Sequence, residues 1–148
     1  MCAFSASRTV LSALPYPTPT TGFCSMRTAR CTAHWGRSGA VVKVQGELDA
    51  ANTGQLTDYV KRCAVECEWL VLDLEDVTFI SVEGFSVLKD IGKQCTADAI
   101  YCTTVPGQAV TRLLQICDSG GSVPTTTSLT EALADAQDLS WSQDRARL

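Results

Sequence analysis

The sequence has a single histidine, His34, and no two cysteines that are separated by two residues. Structural zinc sites in small domains are built from histidines and such cysteine pairs, so no metal site is expected. A P-loop, a GxSxG nucleophile elbow and a pairing of histidine with carboxylate are missing as well, which disfavours the enzyme classes that depend on them. We therefore expect a protein that is not an enzyme and that uses neither a metal nor a cofactor.

Long apolar runs and an excess of basic residues are also missing. No stretch approaches the roughly 18 apolar residues that cross a bilayer, and the net charge of −4 disfavours nucleic acid, whose binding needs a clustered basic face. The first residues have no basic cluster ahead of an apolar core, so no secretory signal is predicted. The partner is expected to be neither a membrane nor a nucleic acid, and the expected location is the cytoplasm.

Cysteine, in contrast, is abundant for a chain of 148 residues. The eight cysteines are Cys2, Cys24, Cys31, Cys63, Cys67, Cys95, Cys102 and Cys117. In a reducing cytoplasm most of these thiols are expected to behave as small buried hydrophobes. A second hypothesis is a redox switch among Cys95, Cys102 and Cys117, since the first two flank a short loop and the third ends the next predicted helix.

The length and the balance of 45% hydrophobic and 19% charged residues fit one soluble domain with short tails. The chain is divided into a tail over 1–26, a domain over 27–137 and a C-terminal tail over 138–148. Pro15, Pro17 and Pro19 keep the first tail from joining a helix or a central strand. This tail is expected to be disordered or to precede a true start at Met26.

Alternating periods along the domain predict the element order ββαβαβαβα. Strands are predicted over 31–35, 40–45, 69–74, 99–105 and 123–127, and helices over 52–64, 82–95, 108–117 and 129–136. The first two strands form a hairpin through the GRSG turn, and Asn52 is the expected N-cap of the first helix. Such an order favours an α/β fold with a mixed, mostly parallel sheet of about five strands, about four helices and an N-terminal hairpin.

Sites in sheets of this kind lie at the loops that follow the carboxyl ends of the strands. Two loops qualify by their residues, the one over 46–52 and the one over 76–84. The segment 79–85 is therefore predicted to be part of a surface that binds a partner.

Three segments carry a resemblance to a known family: GELDAANTGQL, LVLDLEDVTFISVEGFSVL and VPGQAVTRLLQICDSGGSVPTTTSLTEALA. In this order and spacing they resemble a STAS domain of the anti-sigma factor antagonist type. The resemblance implies the STAS fold and a protein that binds a serine-kinase anti-sigma factor and so releases a sigma factor. It also implies that the kinase controls the complex by phosphorylating a serine at the start of the helix after the third strand.

This chain departs from the family pattern at that serine. The pattern reads Phe, any residue, Asp, Ser, Ser or Thr, Gly, whereas the chain has FISVEG over 79–84. Val82 stands at the phosphoacceptor position and has no hydroxyl. Ser81 replaces the aspartate and Glu83 replaces the small hydroxyl residue, so the usual phosphorylation site is absent.

Three interpretations of this departure stay open. The protein is a constitutive antagonist, or Ser81 has become the acceptor one position early, or the domain serves another partner as a scaffold, a redox sensor or a sensor of a small ligand such as a nucleotide. Glu83 has a simple structural role in any of them, since an acid in the first turn stabilises a helix by about 0.3–1 kcal/mol.

The resemblance marks the partner-binding residues as Asp49, Asn52, Ser81, Val82, Glu83, Gly84 and Phe85. Asp49 has an alternative role as a turn residue, although the better spacing of Asn52 as a cap leaves Asp49 freer to contact a partner. Phe79 is expected to belong to the core, and Gly84 is expected to permit close packing at the start of its helix.

Overall fold

The computed structural model describes residues 23–118 and 120–147, which form a five-stranded sheet in the order β1-β2-β3-β4-β5 with four helices. The elements are β1 Phe23–Ser25, β2 Ala29–Gly36, β3 Gly39–Leu48, α1 Thr53–Ala64, β4 Trp69–Ile80, α2 Val82–Ala97, β5 Tyr101–Pro106, α3 Gln108–Cys117 and α4 Leu129–Arg147.

The predicted hairpin is confirmed. The β2 and β3 strands pair in antiparallel fashion up to Gly36 and Gly39, which leaves a two-residue turn whose second residue, Ser38, has a φ of 66°. The Trp69 indole covers the turn and donates through Nε1 to the Arg37 carbonyl at 2.8 Å. A Cβ on Gly39 would lie 2.2 Å from that ring, so the turn requires glycine there.

The β3, β4 and β5 strands are parallel, and both of their faces are covered. One face packs against α1, α2 and α3 through residues such as Val42 and Leu72, and the other packs against α4 through residues such as Val71 and Ala132. Because both faces are buried, the first half of β4 is apolar at nearly every position rather than at alternate positions.

The mixed α/β fold is confirmed, with two antiparallel and two parallel strand pairs. The parallel share is smaller than expected because β1 adds an antiparallel pair. In addition, the strand predicted over 123–127 is reduced to a single bridge between Thr104 and Thr125. Pro124 has no backbone N–H group to donate to a neighbouring strand, so it pairs only through its carbonyl, which accepts from the Thr104 amide at 3.0 Å.

Both predicted tails need correction where the structure describes them. The predicted N-terminal tail includes β1, which pairs with β2, and Met26, which is buried in the core. Residues 1–22 lie outside the described residues. The final helix, predicted to end at 136, continues as α4 to Arg147, so most of the C-terminal tail is helical. None of the helices that the structure describes is long and apolar enough to span a membrane.

Candidate functional site

The two predicted loops meet beside the start of α2, and both are shorter than predicted. The β3 strand continues to Leu48 and the β4 strand to Ile80, so only 49–52 and Ser81 remain as loop. The Ser81 amide donates to the Leu48 carbonyl at 2.9 Å, which joins the ends of the two strands. The start of α1 and the start of α2 are therefore held side by side.

Asn52 lies at the N-cap position of α1, but its side chain makes no cap hydrogen bond. It is buried with 3% of its surface exposed. Its Nδ2 donates to the Glu47 carbonyl at 2.7 Å and to Thr28 Oγ1 at 3.0 Å, and its Oδ1 accepts from the Asp49 amide at 3.0 Å. The predicted capping role is wrong, and the side chain instead anchors the loop to the chain ahead of β2.

Asp49 is half-buried, and its Oδ1 accepts from the Ala51 amide at 2.9 Å. This hydrogen bond, two residues along the chain, is the pattern of an Asx turn. The alternative structural role of Asp49 therefore has a direct contact to support it. Its contact with a partner stays a prediction.

Ser81 is the N-cap of α2. Its Oγ accepts from the Gly84 amide at 3.4 Å, and its carbonyl accepts from the Phe85 amide at 3.2 Å. The next two residues, Val82 and Glu83, lie in the first turn with exposed side chains, 59% of the surface in the case of Val82. The position that lacks a hydroxyl is thus accessible, whereas the neighbouring hydroxyl is used to begin the helix.

Gly84 lets the first turn of α2 lie directly on the end of β4. A Cβ at this position would meet Cγ1 of Ile80 at 2.5 Å, which is closer than any ordinary contact. The close packing predicted for Gly84 is therefore present. Phe85, one residue later, is half-buried against the core, and the Lys89 ammonium lies 6.0 Å from the centre of its ring.

Phe79 was predicted to belong to the core, and this prediction is wrong, because 51% of its surface is exposed. The reason lies in the register of β3 and β4. The pairing shifts between Lys43 and Gln45 and again between Gly46 and Glu47, after which Glu47 pairs with Phe79. Such irregularities turn a strand and change which side chains face outward. Sequence alternation gave no sign of them.

An exposed surface results from these placements. We call it the α2-start surface and define it as Glu47, Phe79, Val82 and Glu83. Its two apolar side chains flank Ser81 along the chain, and both acids are exposed. Earlier in β4, the Asp76 carboxylate pairs with the Lys43 ammonium of β3 at 3.2 Å, which lowers the pKa of Asp76.

The cysteines fall into buried and half-buried groups. Cys31, Cys63, Cys67 and Cys95 are buried, and Cys24, Cys102 and Cys117 are half-buried. Of the three in the redox hypothesis, the structure brings two together, because the Ile100 amide donates to the Cys95 carbonyl at 2.8 Å and Cys102 packs against the core cluster that contains Cys95. Cys117 lies at the end of α3. Among the side chains that the structure describes, those of 24–118 and 120–138, no three from histidine, cysteine or acidic residues are placed to hold a metal ion.

Sequence comparisons agree with this architecture. A family model described as the STAS domain matches residues 35–134. Osmosensory protein A of Mycobacterium tuberculosis (strain ATCC 25618 / H37Rv) is 32% identical in an alignment 114 positions long, which covers 74% of this chain and 72% of that protein.

Solved structures share the fold. An anti-sigma factor antagonist from Mycobacterium paratuberculosis has a TM-score of 0.65 at 20% identity, over 77% of this chain and 99% of that one. The anti-sigma factor antagonist SpoIIAA in its unphosphorylated form has a TM-score of 0.62 at 16% identity, over 73% of this chain and 96% of that one. These similarities confirm the fold that the sequence resemblance implied.

Proposed function

Because this chain belongs to the STAS domain family, we propose that it is a non-enzymatic cytoplasmic regulator of the anti-sigma factor antagonist type. It binds an anti-sigma factor of the serine-kinase type, which then releases the sigma factor that it holds. The proposal is supported by the two solved structures of similar fold, both of which are anti-sigma factor antagonists.

The observation that carries the proposal is the exposure of two large apolar side chains on the α2-start surface. Phe79 and Val82 are 51% and 59% exposed, although burying either of them would stabilise the fold. Exposed apolar side chains that are close along the chain, with charged residues beside them, are typical of a protein interface. Glu47 and Glu83 are charged residues of this kind, and the partner that fits has an apolar recess with basic groups beside it.

We propose further that this complex is not controlled by phosphorylation at the usual position. Val82 has no hydroxyl to accept a phosphate, and the Ser81 hydroxyl is the N-cap acceptor of α2. A phosphate on a serine at this surface would add nearly two negative charges beside Glu47 and Glu83, which would oppose binding. Without an acceptor at residue 82, binding is constitutive.

The partner is identified first, by affinity capture on the purified protein and mass spectrometry of what is retained. We expect a protein with a GHKL-type kinase domain, and that protein is then purified for titration. Asp49→Ala is captured in parallel, because the resemblance assigns this residue to the interface. Equal capture by this variant would leave Asp49 with its turn role alone.

The surface itself is tested with Val82→Asp, measured by isothermal titration calorimetry against the purified kinase. Loss of an apolar contact at the centre of an interface and burial of a new charge should weaken binding by about 2 kcal/mol, or roughly thirtyfold in Kd. The matched control is Val65→Asp, since Val65 is 80% exposed and follows the opposite end of α1. Equal affinities for the two variants would remove the α2-start surface from the proposal.

The relative named Osmosensory protein A suggests what signal reaches this protein. We propose that the complex responds to osmotic stress. The test is co-purification of the kinase from cells before and after a rise in external salt, with total protein held constant. An unchanged ratio of bound kinase would contradict this part of the proposal and leave the antagonist function intact.

A further inference from the structure

The chain turns sharply after α2 and brings two cysteines together. The Ile100 amide donates to the Cys95 carbonyl at 2.8 Å, and Ala99, between them, has a φ of 57°. This is the Schellman motif, in which a left-handed residue follows the helix and the amide of the sixth residue donates to the carbonyl of the first. The turn therefore places the beginning of β5 directly beside the last turn of α2.

Cys102 follows Ile100 by two residues along an extended segment. Side chains two apart in a strand point to the same face, and both pack on the core cluster that contains Cys95. Cys95 and Cys102 therefore pack in the same part of the core, and neither is in a disulfide. Only six residues separate them, and the turn at Ala99 folds the chain back between them.

The pair is also within reach of a small oxidant. Cys95 lines an open cavity of about 350 Å³ between α1 and α2, together with Cys67 and Ile91. Cys102 is itself half-buried rather than enclosed. A molecule the size of hydrogen peroxide can therefore approach from the groove between the helices.

We propose that Cys95 and Cys102 form a reversible, peroxide-oxidised disulfide that ties the last turn of α2 to β5. The Cys95 thiolate attacks hydrogen peroxide, the O–O bond breaks, and Cys95 becomes a sulfenic acid; the hydroxide that leaves takes up the proton that the Cys95 thiol had lost and becomes water. The Cys102 thiolate then attacks the sulfenic sulfur, the S–S bond forms, and the hydroxide that leaves takes up a proton as water. In sum, two thiols and one hydrogen peroxide give one disulfide and two waters, and a cellular dithiol reverses the reaction.

The electrostatics of the pair agree with this order of events. The neighbouring Cys102 thiol lowers the pKa of Cys95, which favours the thiolate that attacks. The Cys95 thiol, together with burial, raises the pKa of Cys102. Once Cys95 has lost its negative charge by oxidation, that part of the effect on Cys102 disappears.

A second pair of cysteines provides an internal comparison. Cys24 and Cys31 are directly opposite each other across β1 and β2. Burial raises the pKa of Cys31 to about 12 and also raises that of Cys24, so neither thiol ionises readily at neutral pH. Peroxide is therefore expected to select the pair at the end of α2.

The inference is tested on the purified full chain, treated with stoichiometric hydrogen peroxide, alkylated and digested with trypsin. Cleavage after Lys93 and Arg112 places both cysteines in one peptide, residues 94–112. We expect this peptide to resist alkylation, to be lighter than the thiol form by the mass of two hydrogen atoms, and to regain both alkylation sites after dithiothreitol. Cys95→Ser and Cys102→Ser should each abolish the change, whereas Cys67→Ser, in the same groove, should retain it.

Three results would overturn the inference. They are full alkylation of both cysteines at peroxide doses that oxidise other thiols of the chain, a cross-link from Cys95 to Cys67, and irreversible oxidation of Cys95 to the sulfinic acid. Each is visible in the wild-type digest, so the conclusion does not depend on whether a variant folds. The result is also independent of the anti-sigma factor, because no partner takes part.

Discussion

The two ends of α2 differ in almost every respect. At its start, Val82 and Glu83 are exposed to solvent, and a serine hydroxyl caps the helix. At its end, Cys95 is buried, and backbone carbonyls accept the hydrogen bonds that close the helix. One helix thus has exposed side chains at its start and a buried cysteine at its end, next to the strand that contains Cys102.

The residues of α2 that pack in the core are therefore different from those that are exposed to a partner. Leu88, Ile91 and Cys95 recur on one side of α2 and pack into the core. Val82 contributes little to that packing, since more than half of its surface is exposed. Substitutions at the first group should change stability, and a substitution at Val82 should change recognition. The predictions that follow use this contrast.

The largest effect is expected from Gly84→Ala. Its new Cβ would lie 2.5 Å from Cγ1 of Ile80, a buried side chain that has little room to move. Overpacking of this kind costs about 1–3 kcal/mol, which outweighs the better helix propensity of alanine. Chemical denaturation should show a free energy of unfolding that is lower by this amount.

The control for this substitution lies in the same helix. A Cβ on Gly92 would meet only Cδ of Pro124, at 3.7 Å, which is an ordinary contact. Gly92→Ala should therefore stabilise the protein by about 0.5–1 kcal/mol, because alanine loses less conformational entropy on folding. If Gly84→Ala and Gly92→Ala lose stability equally, the close contact between Gly84 and Ile80 does not explain the effect at residue 84.

A smaller effect is expected from Ser81→Ala. Removal of a serine N-cap costs about 0.5–2 kcal/mol, and the 3.4 Å separation between Ser81 Oγ and the Gly84 amide places this one at the lower end. Thermal unfolding of Ser81→Ala and Ser81→Asp measures the effect, since aspartate also caps helices. If Ser81→Ala is less stable than the wild type and Ser81→Asp is not, capping is the role of this hydroxyl.

The sequence predicted the parts of α2 that depend on local pattern. The helix over 82–95, the close packing at Gly84 and the nearness of Cys95 to Cys102 follow from apolar spacing, from the absence of a side chain and from a short loop. The first half of β4 was also predicted from the sequence. A strand that is buried on both faces has a nearly continuous apolar run, which can be recognised without knowledge of the fold.

The parts that were missed depend on residues distant in sequence. Phe79 is exposed because the pairing of β3 with β4 shifts at two places, and the alternation of β4 alone contains no sign of those shifts. Asn52 turns away from its helix because Thr28, 24 residues earlier, offers it a hydrogen bond. In both cases a tertiary contact determined the direction of the side chain, and Phe79 in addition lies in β4, which was predicted to end at 74.

The smallest effect on stability, and the sharpest on function, is expected from Val82→Ser. Residue 82 is exposed in the first turn of α2, so the free energy of unfolding should change by no more than about 0.5 kcal/mol. If the α2-start surface still fits a serine kinase, the new hydroxyl should be phosphorylated by the captured partner, whereas wild type and Val82→Ala should not be. Peptide mass spectrometry locates the phosphate.

The appearance of the phosphate on Ser81 of the wild type would show that the acceptor has moved by one position, and the constitutive interpretation would then fail. Its absence from all three proteins would mean that the surface no longer meets a kinase active site, although the complex itself forms.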